Sequence, residues 1–335
     1  MDWVAEFWIP VITAVVGVLA LLTGGAYMTW GERKIVARFQ VRYGPNRAGP
    51  FGILQPLADG VKAIFKEEIV PGHVDKAIYV MAPGIFFAAA MITFAVIPFG
   101  PEVSLFGQRV GLWIGDLNAG LLYLLAIAGL GHYGVVLAGW SSNNKYSLLG
   151  ALRGAAQTIS YELPMGLALL AVVLIVGSLN LRQIVDYQGS WPLIALQPLG
   201  FLLFFIAVLA ENNRSPFDLP EAENELISGH ITEYGGIKFA LFFIAEYTAM
   251  VVNSAIVATV FMGGWKWPAV LSDLHPLVGV GLFLVKVLVV LFLYIWIRAS
   301  LPRARYDKFM KFCWKLLVPL ALANLALTAV AVALI

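Results

Sequence analysis

The sequence predicts an all-α integral membrane protein of eight transmembrane helices with amphipathic helices on the cytoplasmic side. Mean hydropathy is +0.84; 60% of the 335 residues are hydrophobic and only 13% charged. Apolar runs of about 20 residues recur, the length a helix needs to cross the hydrocarbon core. Helices satisfy their own backbone hydrogen bonds in lipid, and the two-residue alternation of a membrane β-barrel is absent.

Taken in order, the spans fall near 7–30, 77–98, 119–140, 156–178, 192–211, 236–262, 276–299 and 313–334, in a single membrane domain covering 1–335. The opening residues MDWVAEF carry Asp2 and Glu6 but no basic stretch, so the first span is expected to act as its own insertion signal. Tyr27, Trp30, Trp140, Trp265, Trp267, Trp296 and Trp314 stand at span ends, as interfacial aromatics do. Alternate loops collect the cations: Arg33, Lys34, Arg38, Arg42, Arg47, Lys62, Lys66 and Lys76 in the first, and Arg298, Arg303, Arg305, Lys308, Lys311 and Lys315 around the last. The opposite loops offer Arg109, Arg182 and Lys266. The positive-inside rule then places the odd-to-even loops in the cytoplasm and both termini on the other side.

Between the first two spans, residues 53–66 place Ile53, Leu54, Leu57, Val61, Ile64 and Phe65 at helical spacing, with Asp59, Lys62 and Lys66 off that stripe. The segment is too short and too charged to span; it is expected to be an amphipathic helix lying on the membrane, on a partner, or on its own bundle. No internal repeat is visible, which disfavours an inverted-repeat transporter.

One cysteine, Cys313, and four scattered histidines, His73, His132, His230 and His275, leave no set of ligands for an iron–sulfur cluster or paired haems. No phosphate loop opens a suitable helix, and nothing points to nucleic acid.

The chemistry therefore rests on charges in apolar surroundings. An ionised residue at a helix centre costs at least ~2.5 kcal/mol on insertion scales, so it needs a partner or a task. Glu162, Glu211 and Glu246 are expected toward the cytoplasmic half of spans four to six, with Lys286 in span seven as a possible counter-charge. Structural ion pairs would explain each singly; three at similar depth point instead to a proton or cation path, because neighbouring carboxylates in low dielectric hold protons near neutrality. Beside them the loop 211–235, whose first 24 residues read ENNRSPFDLPEAENELISGHITEY, carries six acids. Helix capping accounts for Asp218 and Glu221. Glu225 would then repeat their charge on the same helical face, a local conflict typical of functional sites, while Gly229, Gly235 and Gly236 would let the loop move.

Four segments resemble one family: GERKIVARFQVRYGPNRAGPFGILQPLADGVKAIFKE, GWSSNNKYSLLGALRGAAQTISYELPMG, LAENNRSPFDLPEAENELISGHITEYGGIKFALFFIAEY and IRASLPRARYDKFMKFCWKLLVPLALA. They are similar to the H subunit, also called subunit 1, of proton-pumping NADH:quinone oxidoreductase, respiratory complex I, from about Trp30 to the end of span eight. The resemblance implies an integral protein of the bacterial inner membrane at the junction with a hydrophilic arm. It also implies a quinone substrate admitted between spans one and six and the amphipathic helix. NADH, FMN and the iron–sulfur clusters then belong to partner subunits, which include the hydrophilic subunits at the quinone chamber and the small and antiporter-like membrane subunits. Residue by residue, it implies that Glu32, Arg33, Asp59, Lys62 and Phe217 line the quinone passage. Arg298, Arg303 and Arg305 would face the hydrophilic subunits, and Glu162, Glu211, Glu223, Glu225 and Glu246 would carry protons or coupling. Many bacterial members carry a further Glu near the end of span three; here Gly131-His132 stands in that neighbourhood, and His132 either substitutes or is bypassed. The equivalent subunit of a membrane-bound hydrogenase, or of a complex fed by another donor, is the nearest alternative. An ion-coupled transporter, or an Mg²⁺-dependent prenyl-transferring enzyme lacking its paired aspartate motifs here, is more distant.

Overall fold

Local signals start and stop the helices where the apolar runs begin and end. In this computed structural model, which describes residues 2–105, 108–189, 191–266 and 276–334, Trp267 and His275 lie outside the described residues, as do the side chains of Asp2, Glu6, Arg109 and Glu223. The helices are α1 Asp2–Phe39, α2 Gln55–Phe65, α3 Lys76–Thr93, α4 Gly120–Ser141, α5 Lys145–Val176, α6 Leu181–Tyr187, α7 Leu193–Leu196, α8 Pro198–Glu211, α9 Glu223–Leu226, α10 Gly236–Phe261, α11 Pro276–Ser300, α12 Tyr306–Phe312 and α13 Val318–Leu334. Asn144 caps α5 by accepting from the Tyr146 amide at 2.9 Å, and Gly177 ends it in the left-handed conformation at φ 74°. Asn180 caps α6 in the same way through the amides of Arg182 and Gln183.

Among the described residues, seven helices are long and apolar enough to cross a membrane. The expected fifth span is instead broken into α7 and α8. Pro198 supplies no N–H and disfavours helical geometry at the residue before it, so Gln197 sits at φ −130°, ψ 57°. The buried Gln197 amide closes the break: it donates to Thr328 Oγ1 at 2.6 Å and accepts from Asn324 Nδ2 at 3.1 Å, both on α13.

Contacts between loops show how often the chain runs through the bundle. Glu32, Arg214, Asp218, Arg298 and Arg303 meet at one end, as do Asn144 and Glu233. At the other end Arg182 meets Glu102 and Asp116, and Gln188 meets the carbonyls of Thr259 and Val260. The segment α7–α8 thus carries the chain from the second end back to the first, and α12–α13, joined by a π-helical turn at Cys313–Leu317, makes the last passage.

Helix α10 is the hub, packed against α1, α3 and α11; α5 packs against α4, α8 and α13. Close approach depends on small residues, as expected for helices whose apolar faces gain little from leaving lipid. At Gly134 of α4 a Cβ would stand 2.8 Å from the Ala82 carbonyl oxygen of α3. The all-α expectation contains no strands, yet Glu102–Leu105 and Gln108–Gly111 form a small antiparallel hairpin, β1–β2, pinned at its base by the Arg182–Glu102 pair at 2.9 Å.

Lys286 has a structural post. Its ammonium donates to the carbonyls of Met262 at 2.7 Å, Gly264 at 2.8 Å and Lys266 at 2.5 Å, just beyond the C-terminus of α10. A cation there complements the helix dipole and the exposed carbonyls. This post at the end of α10, rather than a counter-charge to Glu162, Glu211 or Glu246, is what the described geometry gives the residue.

Candidate functional site

One buried guanidinium organises the end of the bundle where the loops after α1, α8 and α11 meet. Arg214 follows α8 after Asn212 and Asn213 and is 8% exposed. Its Nη1 lies 3.6 Å from Glu32 at the end of α1, its Nη2 lies 4.0 Å from Glu246 in α10, and its Cζ stacks 4.2 Å above the Tyr247 ring. Glu32 also pairs with Arg298. Glu246 in turn lies within hydrogen-bonding reach of Glu221. Asp218 completes the cluster through Arg303 at 2.6 Å.

This corrects the capping reading of the acidic loop. Asp218 and Glu221 start no helix: α9 is only four residues, begins at Glu223 and has no side-chain cap. The two acids face inward to Arg303 and Glu246 instead. Glu225, which the sequence placed on their face, pairs with Arg153 of α5 at 2.5 Å near the surface. Glu223 stands in α9 with its side chain outside the description. Gly229 supplies close approach to α5 and Pro220.

The passage residues divide. Arg33 of α1 pairs with Asp59 of α2 at 2.7 Å, and Gln55 donates to the other Asp59 oxygen at 2.9 Å. Lys62 is exposed on the same helix. Apolar Leu57, Ile64 and Phe65 are exposed along it, Phe65 at 85%. Glu32 points the other way, into the Arg214 cluster. Phe217 packs away from Arg33 and Asp59; its ring centroid is 4.6 Å from Phe309 and 6.1 Å from Tyr161. Of the expected partner-facing arginines, Arg298 and Arg303 hold the chain's own acids, whereas Arg305 is 74% exposed and pairs with neighbouring Asp307.

In the interior, Glu211 and Glu246 line one cavity of about 40 Å³ together with His132, and the charge of Glu162 acts on Glu211. Sequence reasoning missed Arg214 as the organising cation, and Asp218 and Glu221 as its acidic neighbours. The available signal was Arg214 itself, the one Lys or Arg among the residues 211–235.

The loop acids titrate unusually. Burial, reinforced by Glu221 and opposed by Arg303, lifts the Asp218 carboxyl to about 7. A carboxyl raised by folding binds more protons folded than unfolded, so its contribution to stability is full at low pH and is lost as pH rises from about 4 to about 7. Melting temperatures of the purified complex should therefore fall less steeply across that interval in Asp218→Asn than in the parent; identical slopes would show that Asp218 does not titrate there. Buried His230, packed edge-on against Phe242, is pushed down to about 4 and is neutral.

No group of three or more His, Cys, Asp or Glu suited to hold a metal occurs among the described residues. The family model described as NADH dehydrogenase matches residues 12–329. The chain is 49% identical to the second NADH-quinone oxidoreductase H subunit of Syntrophobacter fumaroxidans, with 98% of this chain and 97% of that one covered. It is 52% identical to the H subunit of the same enzyme from Protochlamydia amoebophila over 92% of both chains. It is 50% identical to the one from Deinococcus deserti over 98% of this chain and 85% of that one. With the family's signature loops folded around a buried arginine–carboxylate cluster at one end of a helical bundle, the chain belongs to the NADH dehydrogenase family, among the H subunits of the NADH-quinone oxidoreductases.

Proposed function

We propose that this chain, a membrane subunit of complex I, forms the quinone access path and part of the quinone chamber, and couples quinone reduction to proton translocation through its carboxylates. The observation that carries this reading is the position of Arg214 between Glu32 and Glu246. Glu32 adjoins Arg33, whose partner Asp59 sits on the amphipathic helix; Glu246 adjoins the interior cavity. A change of charge at the quinone end thus acts on an interior acid through one cation. Electrostatic influence of this kind is strong because the groups are withheld from water.

The path begins at the exposed apolar face of α2 and the Arg33–Asp59 pair, where a quinone leaves the bilayer. Reduction of the quinone draws protons and alters the charge near Glu32. Arg214 then shifts its balance between Glu32 and Glu246, a proton moves onto or off the Glu221–Glu246 pair, and Glu211 and Glu162 receive the change. NADH, FMN and iron–sulfur clusters belong to the partner subunits, which dock on the face carrying Arg305. The antiporter-like and small membrane subunits take up the far end of the carboxylate series. In the bacterial inner membrane both termini then face away from the cytoplasm, consistent with the cationic loops. The names of the relatives favour a quinone acceptor over a hydrogenase-type complex.

In assembled enzyme, Glu246→Gln is expected to lower proton pumping on the order of a hundredfold or more, the scale of a lost proton-transfer group. Quinone reductase activity and pumping are to be measured together, after subunit content is checked. Unchanged pumping in intact Glu246→Gln enzyme would falsify the carboxylate reading.

A further inference from the structure

The two acids do not hold Arg214 in place by themselves. Its Nη1 stands 3.6 Å from Glu32 and its Nη2 4.0 Å from Glu246, both beyond hydrogen-bond length. The backbone that carries the guanidinium must be set by something else. That backbone leaves α8 at Ala210, turns over Arg214 and returns at Phe217, whose amide donates to the Arg214 carbonyl at 2.8 Å. At Asn213 it passes through the left-handed region, φ 49°, which Asn tolerates and few other side chains do.

Both feet of this turn are tied to one side chain. Gln157 of α5 is fully buried. Its Nε2 lies 2.6 Å from the Ala210 carbonyl oxygen, 3.1 Å from Asn213 Oδ1 and 2.9 Å from the Phe217 carbonyl oxygen. Three oxygens around one atom fix it as the nitrogen, since the flipped amide would set oxygen against oxygen. Its two hydrogens serve three acceptors, so one hydrogen is shared. Gln157 Oε1, at the other side of the amide, has no partner among the described residues. The bonds to the turn therefore set the orientation of this amide, at the expense of its own oxygen. Capping α8 would need the Ala210 carbonyl alone. The bonds to Asn213 and Phe217 lie beyond the helix, on either side of Arg214. The mount is firm: Tyr161, one turn further along α5, stacks on Phe309 at 4.4 Å.

We propose that Gln157 is a positioning residue for coupled turnover: by tying Ala210, Asn213 and Phe217 to α5, it sets the guanidinium of Arg214 between Glu32 and Glu246. This role rests on the carboxylate reading of the chain and deepens it by naming what aims the central cation. Among the described residues Gln157 bonds to neither acid, so its influence reaches them through Arg214.

The test uses the assembled complex with NADH and a decyl-tailed benzoquinone. Gln157→Glu keeps the size and replaces the donor by an acceptor; Gln157→Leu removes both polar atoms. Each is expected to lower kcat about tenfold or more, the scale of a group misplaced from outside the reacting atoms, with KM for the benzoquinone within about twofold of the parent. Density of the assembled variants is expected to show the Arg214 guanidinium displaced from Glu32 and Glu246. Thr158→Val removes a buried hydroxyl at the next position of α5 and is the control, with kcat at the parent value. A residue that only supports α8 would lower the melting temperature and leave the kcat of assembled enzyme unchanged. That result, a raised KM at parent kcat, or an unmoved Arg214 overturns the proposal. Where both Gln157 variants fail to assemble, Asn213→Gly decides, because it keeps the left-handed backbone and the bond to α8 and removes one acceptor. Its kcat is expected to fall about fivefold, the scale of one lost hydrogen bond; parent kcat overturns the proposal. If Glu246→Gln impairs pumping while the Gln157 variants turn over like the parent, the carboxylate reading stands and the positioning role falls. If Glu246→Gln is silent while the Gln157 variants displace Arg214 and lower kcat, the carboxylate reading falls and Gln157 still places Arg214 for turnover.

Discussion

Arg214→Leu is expected to abolish coupled turnover and to destabilise the membrane subunit more than the loss of any exposed ion pair. Arg214 is 8% exposed, and its guanidinium carries charge for two buried acids and the face of Tyr247. Removing one partner of a buried ionic network costs about 3–5 kcal/mol, because the remaining charge is left uncompensated. Glu32 keeps Arg298; Glu246 is left with the carboxyl of Glu221. The damage should therefore concentrate on Glu246. Adding Glu246→Gln to Arg214→Leu is expected to restore much of the lost thermal stability without restoring pumping. Such non-additivity is the signature of two groups sharing one interaction. Arg214→Lys is expected to recover part of the stability only, since a point-like ammonium cannot both stack on Tyr247 and reach the two acids. Melting temperature, subunit content and pumping measured on the parent, these three variants and Glu246→Gln alone decide the matter. Equal destabilisation of Arg214→Leu with and without Glu246→Gln would show that the pair does not communicate.

Local chemistry sets part of the fold: among the described residues seven apolar runs form long helices, and Asn144, Asn180 and Gly177 mark helix ends. The interruption at Gln197 was also present in the sequence, as Gln197-Pro198, but an apolar stretch of the right total length concealed it. What was not legible is which partner each charge takes. Asp218 and Glu221 fit a capping pattern, yet a cap forms only where a helix follows, and the four residues of α9 do not provide one. The acids turn inward because Arg303 and Glu246 come from distant segments. The acids that Arg298 and Arg303 hold were not legible for the same reason: they lie 266 and 85 residues away in sequence. Lys286 reads as a counter-charge in a linear sequence and as a carbonyl ligand once α10 and α11 are side by side.

Gly229→Ala tests whether the acidic loop works by being seated rather than by being loose. Gly229 has φ +55°, and an added Cβ would stand 1.7 Å from the Pro220 carbonyl oxygen. Across the contact, a Cβ on Gly150 of α5 would lie 2.7 Å from both that oxygen and Gly229 Cα. Two glycines therefore let the loop backbone lie directly on α5, next to the residue that presents Glu221 to Glu246. An alanine at a left-handed position costs ~1–2 kcal/mol, and forced overpacking adds about 1–3 kcal/mol. The chain has no flexible side-chain end to yield, because the clash is with backbone, so Pro220 and Glu221 must move. Glu221 would then lose its reach to Glu246, and activity would fall along with stability. Gly235→Ala is the matched control: φ there is −135°, and nothing lies within 4 Å of its added Cβ. Were mobility the requirement, both substitutions would slow turnover by stiffening the loop. Seating requires Gly229→Ala to be severely impaired and more readily proteolysed in the loop, with Gly235→Ala close to the parent in both assays.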